Sequence, residues 1–301
     1  RSSWVTGVQT CALPIYERSR GQNESQACRC YQAAVAIKIR SKQGKCGERN
    51  FCTCQIDLES YMTNNNYFTN KVGIITGAAG FIGSHLTDKL LGLGSRIIGI
   101  DNCLTGKKKN LHSALKQTNF TFYQTDIIPE QALIPLLDKV RSTYGQIDFM
   151  AHLASPASPP LYQRYPCETY LVNSLATHNL LSWLKSQAPS ARFLFASTSE
   201  VYGDPLVHPQ KEDYWGNVNP NGVRSCYDES KRMGETIGGV FYRDFGLDVR
   251  IMRIFNTYGP RMDLQDGRIL PQFIKQALAG EKLTIRSEEH TSELQSPSWI
   301  S

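Results

Sequence analysis

Cysteine is scarce in the part of the chain that looks folded. Of nine cysteines, six (Cys11, Cys28, Cys30, Cys46, Cys52 and Cys54) precede Met62, leaving Cys103, Cys167 and Cys226. Three scattered thiols exclude a disulfide scaffold and fit a reducing compartment, so a cytoplasmic protein is expected. The pairs Cys28-x-Cys30 and Cys52-x-Cys54 lack the two-residue gaps and histidines of zinc sites, and no metal is expected. Long apolar runs are also missing. The stretch 33–39 is too short and interrupted to span a bilayer, and no signal peptide is evident, so no membrane partner is expected. Charge of one sign is modest: the formal net charge is +6, of which residues 62–285 carry about +4. That balance does not call for nucleic acid. The 41% of apolar residues is ample for one globular core.

What the chain does contain is ordered punctuation. The apolar run 71–76 reads as a buried parallel strand. Gly77-Ala78-Ala79-Gly80-Phe81-Ile82-Gly83 follows at once, and 84–91 has helical periodicity. Gly77 would make the tight turn, Gly80 would admit a pyrophosphate, and Gly83 would let the helix pack closely on the sheet. The helix N-terminus would then face the phosphates with unpaired N–H groups. A second strand, 96–100, ends at Asp101, twenty-four residues after Gly77, where a carboxylate binds the ribose diol of a dinucleotide. An acid there repels a 2′-phosphate and favours NAD over NADP. Lys107, Lys108 and Lys109 weaken that preference, unless they form only a solvated basic loop.

The alternation continues. Strands are expected at 120–124, 147–153, 192–197 and 247–254, and helices at 130–141, 170–185 and 225–242. This order argues an α/β fold with a doubly wound parallel Rossmann-type sheet. Ligands in such sheets bind beyond the carboxyl ends of the strands. Gly77, Asp101, Asp126, Ser155 and Thr198 all fall there, and Asp126 would reach the adenine.

The helix at 225–242 carries Tyr227 and Lys231, at i and i+4 and so on one face. A phenol titrates near 10, and an adjacent ammonium or a cationic nicotinamide favours the phenolate. A base works best with its pKa near the working pH. Alone, this spacing is equally that of a surface helix. Beside a dinucleotide fingerprint it predicts proton removal coupled to oxidation, with Lys231 lowering the Tyr227 pKa.

Several longer runs carry a family resemblance: HLASPASPP (152–160), ASTSEVYGDP (196–205), VHPQ (207–210), EDYWGNVNP (212–220) and RIFNTYGPRM (253–262). The region from about Lys71 to Ile285 resembles the extended short-chain dehydrogenase/reductases acting on nucleotide sugars, and within them the UDP-glucuronate decarboxylases. The resemblance implies NAD as cofactor, UDP-glucuronate as substrate and a homodimer. It implies catalytic roles for Tyr227, Lys231, Thr198 and Glu200. Cofactor contacts are implied for Gly77, Gly80, Phe81, Ile82, Gly83, Asp101, Asn102, Asp126, Ile127, Leu153, Ser155, Tyr227, Lys231, Thr257 and Arg268, and substrate contacts for Thr198, Tyr227 and Asn256.

The implied reaction oxidises the sugar at C4, loses CO2 from the resulting β-keto acid, and reduces C4 again to give UDP-xylose. Tyr227 would take the O4 proton, Thr198 would hold O4, Lys231 would hold the nicotinamide ribose, and Glu200 would orient the ring or a water. Related 4,6-dehydratases place an Asp-Glu pair after the Thr, where this chain has Ser199-Glu200; UDP-glucose 4-epimerases have a small residue at the Glu200 position. A UDP-glucuronate 4-epimerase or another nucleotide-sugar epimerase or dehydratase stays open as an alternative, as does a catalytically silent NAD-binding module. One departure concerns a substrate-touching Lys in a Lys-Thr-Asn run of some members. Here the run is Leu171-Val172-Asn173, so that contact is absent or supplied elsewhere.

The two ends read differently. Residues 5–15 and 286–296 match translations of the two strands of a sequencing-adapter DNA. The expectation is a non-native, disordered leader over 1–61 with Met62 as the native start. Residues 62–285 would form the NAD-binding domain with the beginning of a smaller, truncated substrate domain, and 286–301 a non-native tail. A fragment of this kind is expected to bind NAD with little or no turnover.

Overall fold

A computed structural model describes residues 67–263 and 266–281. The expected leader, the start at Met62 and the expected tail lie outside the described residues.

Six strands form one parallel sheet in the order β3-β2-β1-β4-β5-β6. They are β1 (Val72–Thr76), β2 (Arg96–Asp101), β3 (Phe120–Gln124), β4 (Phe149–His152), β5 (Arg192–Thr198) and β6 (Val249–Ile254). The order reverses between β1 and β4, which opens a crevice at the carboxyl ends of those strands. Helix α1 (Phe81–Gly92) follows β1, α2 (Glu130–Tyr144) follows β3, α5 (Thr177–Gln187) follows β4 and α6 (Ser225–Phe245) follows β5. Two short helices, α3 (Pro159–Arg164) and α4 (Pro166–Leu171), lie between β4 and α5. The last described element is α7 (Ile269–Leu278), which follows β6.

Adjacent residues of a strand face opposite sides, and the core divides accordingly. Ile74, Ile98, Met150, Phe193 and Phe195 pack with Leu133, Leu137, Leu180, Leu184 and Phe241 of α2, α5 and α6. Ile75, Ile97 and Ala151 pack on the other side with Leu86, Leu90 and Leu91 of α1. Helix α6 lies close on β5 because it has no side chain at Gly234, where a Cβ would stand 2.2 Å from the Phe195 ring.

The expected strands and helices all occur, with shifted ends. One departs in kind. The helix expected over 170–185 is α4, a π turn (Val172–Ala176) and α5 in succession. The wider turn leaves the Val172 carbonyl for the buried His152 ring, whose Nε2 lies 3.0 Å away. It also turns the Asn173 amide inward, where Nδ2 donates to Thr169 O, Ser155 Oγ and Ser230 Oγ. Insertions of this type are common beside functional sites.

Candidate active site

The glycine turn after β1 is set by close approach. Gly77 has φ +73°, and a Cβ there would lie 2.7 Å from the Ala154 nitrogen. At Gly83 a Cβ would fall 2.0 Å from the Gly77 carbonyl, so only glycine lets α1 begin under the turn. Gly80 caps α1 with extended backbone and no side-chain cap, leaving first-turn N–H groups for an anion.

Beyond β2, Asp101 is buried. Its Oδ2 accepts from Ala79 N at 2.9 Å and its Oδ1 from Cys103 N at 2.7 Å. Burial pushes its carboxyl pKa up, while the backbone donors of Cys103, Ala79 and Gly80 oppose that. Asn102 Nδ2 donates to Asp126 Oδ2 at 3.2 Å, joining the ends of β2 and β3.

Thr198 ends β5, and its Oγ1 accepts from Glu200 N at 3.3 Å to start the 3-10 turn Ser199–Tyr202. Tyr227 and Lys231 project from α6 and are both buried. Burial pushes the Tyr227 phenol up to about 12; Glu200 and Asp228 add to the rise, and a hydrogen bond with Thr198 and the charge of Arg268 oppose it. Lys231 behaves differently from expectation. Its Nζ donates to Ala196 O at 2.7 Å and lies 5.8 Å from the Tyr227 ring centroid. Burial lowers its pKa to about 7, against the pull of Glu235 one turn along α6. Desolvation thus acts on both groups, raising the Tyr227 pKa and lowering that of Lys231.

Two adjoining spaces collect the expected site residues. One, of about 70 Å³, is lined by Gly77, Gly80, Asp101, Asn102, Asp126, Ile127, Leu153 and Ser155. The other, of about 420 Å³, is lined by Gly77, Gly80, Phe81, Ile82, Gly83, Leu153, Ser155, Thr198, Glu200, Tyr227, Lys231, Asn256, Thr257 and Arg268. Gly77, Gly80, Leu153 and Ser155 belong to both walls. A further cavity of about 240 Å³ opens among Lys71, Asp148 and Arg192, away from Tyr227; its charged groups are already tied, Lys71 to Asp148 and Arg192 to Asp248. A dinucleotide fits the first two spaces: a turn with room for phosphates at one end, a carboxylate beside a polar crevice, and a phenol at the other end.

The profile of the NAD dependent epimerase/dehydratase family matches residues 74–292. The chain belongs to this family. It is 49% identical over 212 residues to UDP-glucuronic acid decarboxylase 1 of Xenopus tropicalis, covering 70% of this chain and 47% of that protein. It is 47% identical over 231 residues to UDP-glucuronic acid decarboxylase 6 of Arabidopsis thaliana, covering 76% of this chain and 63% of that one. The chain thus spans about half to just under two thirds of these relatives. Among solved structures, a UDP-glucose 4-epimerase of Thermotoga maritima with UDP-glucose superposes with TM-score 0.60 at 30% identity, over 70% of this chain and 64% of that one. A dTDP-glucose 4,6-dehydratase of Bacillus anthracis in complex with NAD gives TM-score 0.59 at 26% identity, over 71% and 63%. No helix among the described residues is long and apolar enough to cross a membrane.

Sequence reasoning missed two residues at the site. Arg224, just before α6, pairs through Nη2 with Glu200 Oε2 and lines the larger space. Tyr162 of α3 stacks on Tyr227, with ring centroids 5.0 Å apart. Arg224 stands three residues before Tyr227 and was visible as a helix-start cation; its partner across the chain was not. Arg268, expected on the cofactor side, is held by both oxygens of Asp266.

Proposed function

We propose that this protein catalyses NAD-dependent decarboxylation of UDP-glucuronate to UDP-xylose through a 4-keto sugar. The observation that carries the reading is that Thr198, Glu200, Tyr227 and Lys231 line one space with the glycine turn. Ser199-Glu200 after the Thr, and the decarboxylase names of the relatives, favour this reaction over its neighbours.

NAD, when bound, supplies the oxidation at C4 and its later reversal. Gly77, Gly80 and the start of α1 hold its phosphates, and Asp101 accepts from ribose hydroxyls. Tyr227 takes the proton from the sugar O4 and returns it at the end. Thr198 donates to the phenolate oxygen and keeps O4 in line. Lys231, titrating near neutrality, adds positive charge beside the phenol when protonated. Glu200 faces the ring and orients it, or a water, for reprotonation at C5 once CO2 has left. Asn256 contacts the nucleotide sugar, and Thr257 and Arg268 lie on the cofactor side.

The enzyme is also proposed to work in the cytoplasm as a homodimer. The free thiols of Cys103, Cys167 and Cys226 support a reducing compartment. Exposed Tyr170, Leu175 and Met233, on α4, the π turn and α6, support a helical contact between copies.

The test is to incubate the chain with UDP-glucuronate and NAD and follow products by NMR, with Tyr227→Phe as the control. UDP-xylose and CO2, at no more than the low turnover expected of a fragment and absent with the variant, are the expected products. UDP-galacturonate without CO2 would replace this reading with a 4-epimerase. No product despite NADH binding would leave a truncated enzyme or a dinucleotide-binding module, which the same assay on a chain with a complete substrate domain separates.

A further inference from the structure

Glu200 does not stand alone in the pocket wall. Its carboxylate is paired with Arg224 Nη2, and both side chains are only part-exposed, 30% and 28%. Arg224 precedes α6, and Asp228 lies one turn further along it, at i+4, on the same face. Asp228 Oδ1 and Arg224 Nε are both buried without a hydrogen-bond partner among the described residues. Against this group packs Tyr162 from α3, whose hydroxyl is likewise buried without a well-formed bond and whose ring stacks on Tyr227. Glu200 thus pairs with the guanidinium at the pocket wall, while Asp228, one turn along the same helix face, interacts with it electrostatically from beside the proposed proton acceptor.

An unpaired buried carboxylate is strongly unfavourable, and two beside a phenol oppose its ionisation. A single arginine answering both would relieve that, because its fork can serve more than one carboxylate.

We propose that Arg224 is a positioning residue that holds Glu200 in the sugar pocket and shares its charge with Asp228, so that neither acid stands uncompensated beside Tyr227. Arg224 acts through Glu200 and does not itself exchange protons with the sugar. This inference rests on the reading of Tyr227 as the proton acceptor, but its test needs no turnover. Failure of the decarboxylase assay would leave the test intact.

Asp228 is the reporter. Burial raises its carboxyl pKa to about 7; Arg224 lowers it, while Glu200 and Glu229 raise it further. Tyr162 of α3 packs on the same cluster and stays neutral over this range, since burial raises its phenol above the usual value. The experiment follows the Asp228 carboxyl by 13C NMR from pH 4 to 9 in the full chain, assigned with Asp228→Asn. NADH fluorescence titration of each variant checks that the fold is kept.

Arg224→Met should raise the Asp228 midpoint by about one unit. Glu200→Gln should lower it, and Arg224→Lys should stay close to wild type. Opposite shifts from Arg224→Met and Glu200→Gln are the signature of shared charge, which a purely structural role at the helix start would not produce. An unmoved midpoint in Arg224→Met with intact NADH binding overturns the proposal, and so does an unmoved midpoint in Glu200→Gln. Should Arg224→Met fail to fold, Glu200→Gln and Arg224→Lys decide: a lowered and an unchanged midpoint support it, any other pair overturns it.

Discussion

Tyr162 and Tyr227 lie face to face, with ring centroids 5.0 Å apart and planes 9° from parallel. The stack packs α3 against the ring of the proposed proton acceptor. Tyr162 is only 1% exposed. Tyr162→Ala should lower stability by about 3 to 5 kcal/mol, as truncation of a buried aromatic does. Tyr162→Phe keeps the stack and removes a poorly bonded hydroxyl, so it should change stability by less than about 1 kcal/mol. Denaturant titration of both variants checks this. Equal losses would show that the hydroxyl, not the ring, is what matters.

The Tyr227 phenol should respond to NAD. With burial holding it at about 12, an added positive charge favours the phenolate. Bound NAD in its oxidised form should lower the midpoint by about one unit or more, and NADH should lower it less. By linkage, affinity for the oxidised form must rise with pH over the same range. Ultraviolet difference titration of wild type against Tyr227→Phe, with each form of the cofactor, measures the shift. Identical midpoints with both forms would contradict the charge argument.

Acid should unfold the protein partly through His152. The ring is buried; Nε2 donates to the Val172 carbonyl and Nδ1 accepts from the Thr76 hydroxyl at 2.7 Å. Burial, helped by Lys231, lowers its pKa from 6.5 to about 3. The unfolded chain therefore binds a proton between those values that the folded chain does not, so stability falls as pH drops from 6.5 towards 3. Denaturation curves at pH 7 and pH 4.5 should differ less for His152→Gln than for wild type. An equal pH slope would assign the acid sensitivity elsewhere.

Two glycines of α1 should respond oppositely to alanine. At Gly83 the new Cβ would press on the Gly77 carbonyl at 2.0 Å, and nothing lies within 4 Å of Gly92. Gly83→Ala should lose at least about tenfold in NADH affinity and about 1 to 3 kcal/mol of stability. Gly92→Ala should bind NADH normally and gain about 0.5 to 1 kcal/mol. Fluorescence titration and thermal melts separate the two.

Features written in local spacing were legible before the fold was known. The glycine turn, Asp101 at the end of β2, and Tyr227 with Lys231 on one helix face follow from strand and helix periods alone. The doubly wound parallel sheet followed from alternation of elements. The long runs of family resemblance contributed Thr198, Glu200, Asn256 and Thr257, and the wider resemblance Arg268. The roles of Arg224 and Tyr162 were not legible, because they come from contacts between elements distant in the chain. The burial that raises the Tyr227 pKa was hidden for a related reason. Counting a cation four residues away ignores that the same packing desolvates both groups and directs Lys231 Nζ to Ala196 O. The π turn was hidden as well, since the bonds that accompany it, from His152 to the Val172 carbonyl and between Asn173 and two serines, reach neighbouring segments.

That π turn also acts as a phase shifter. One additional residue in a helix rotates everything after it by about 100°. Helix α5 thereby turns Leu180, Leu181, Trp183 and Leu184 into the core, while Asn173 reaches both Ser155 at the cofactor wall and Ser230 beside Lys231. Deleting a single residue from 172–176 would set these two alignments against each other. A regular helix could seat the apolar face of α5 or the Asn173 bridge, but not both.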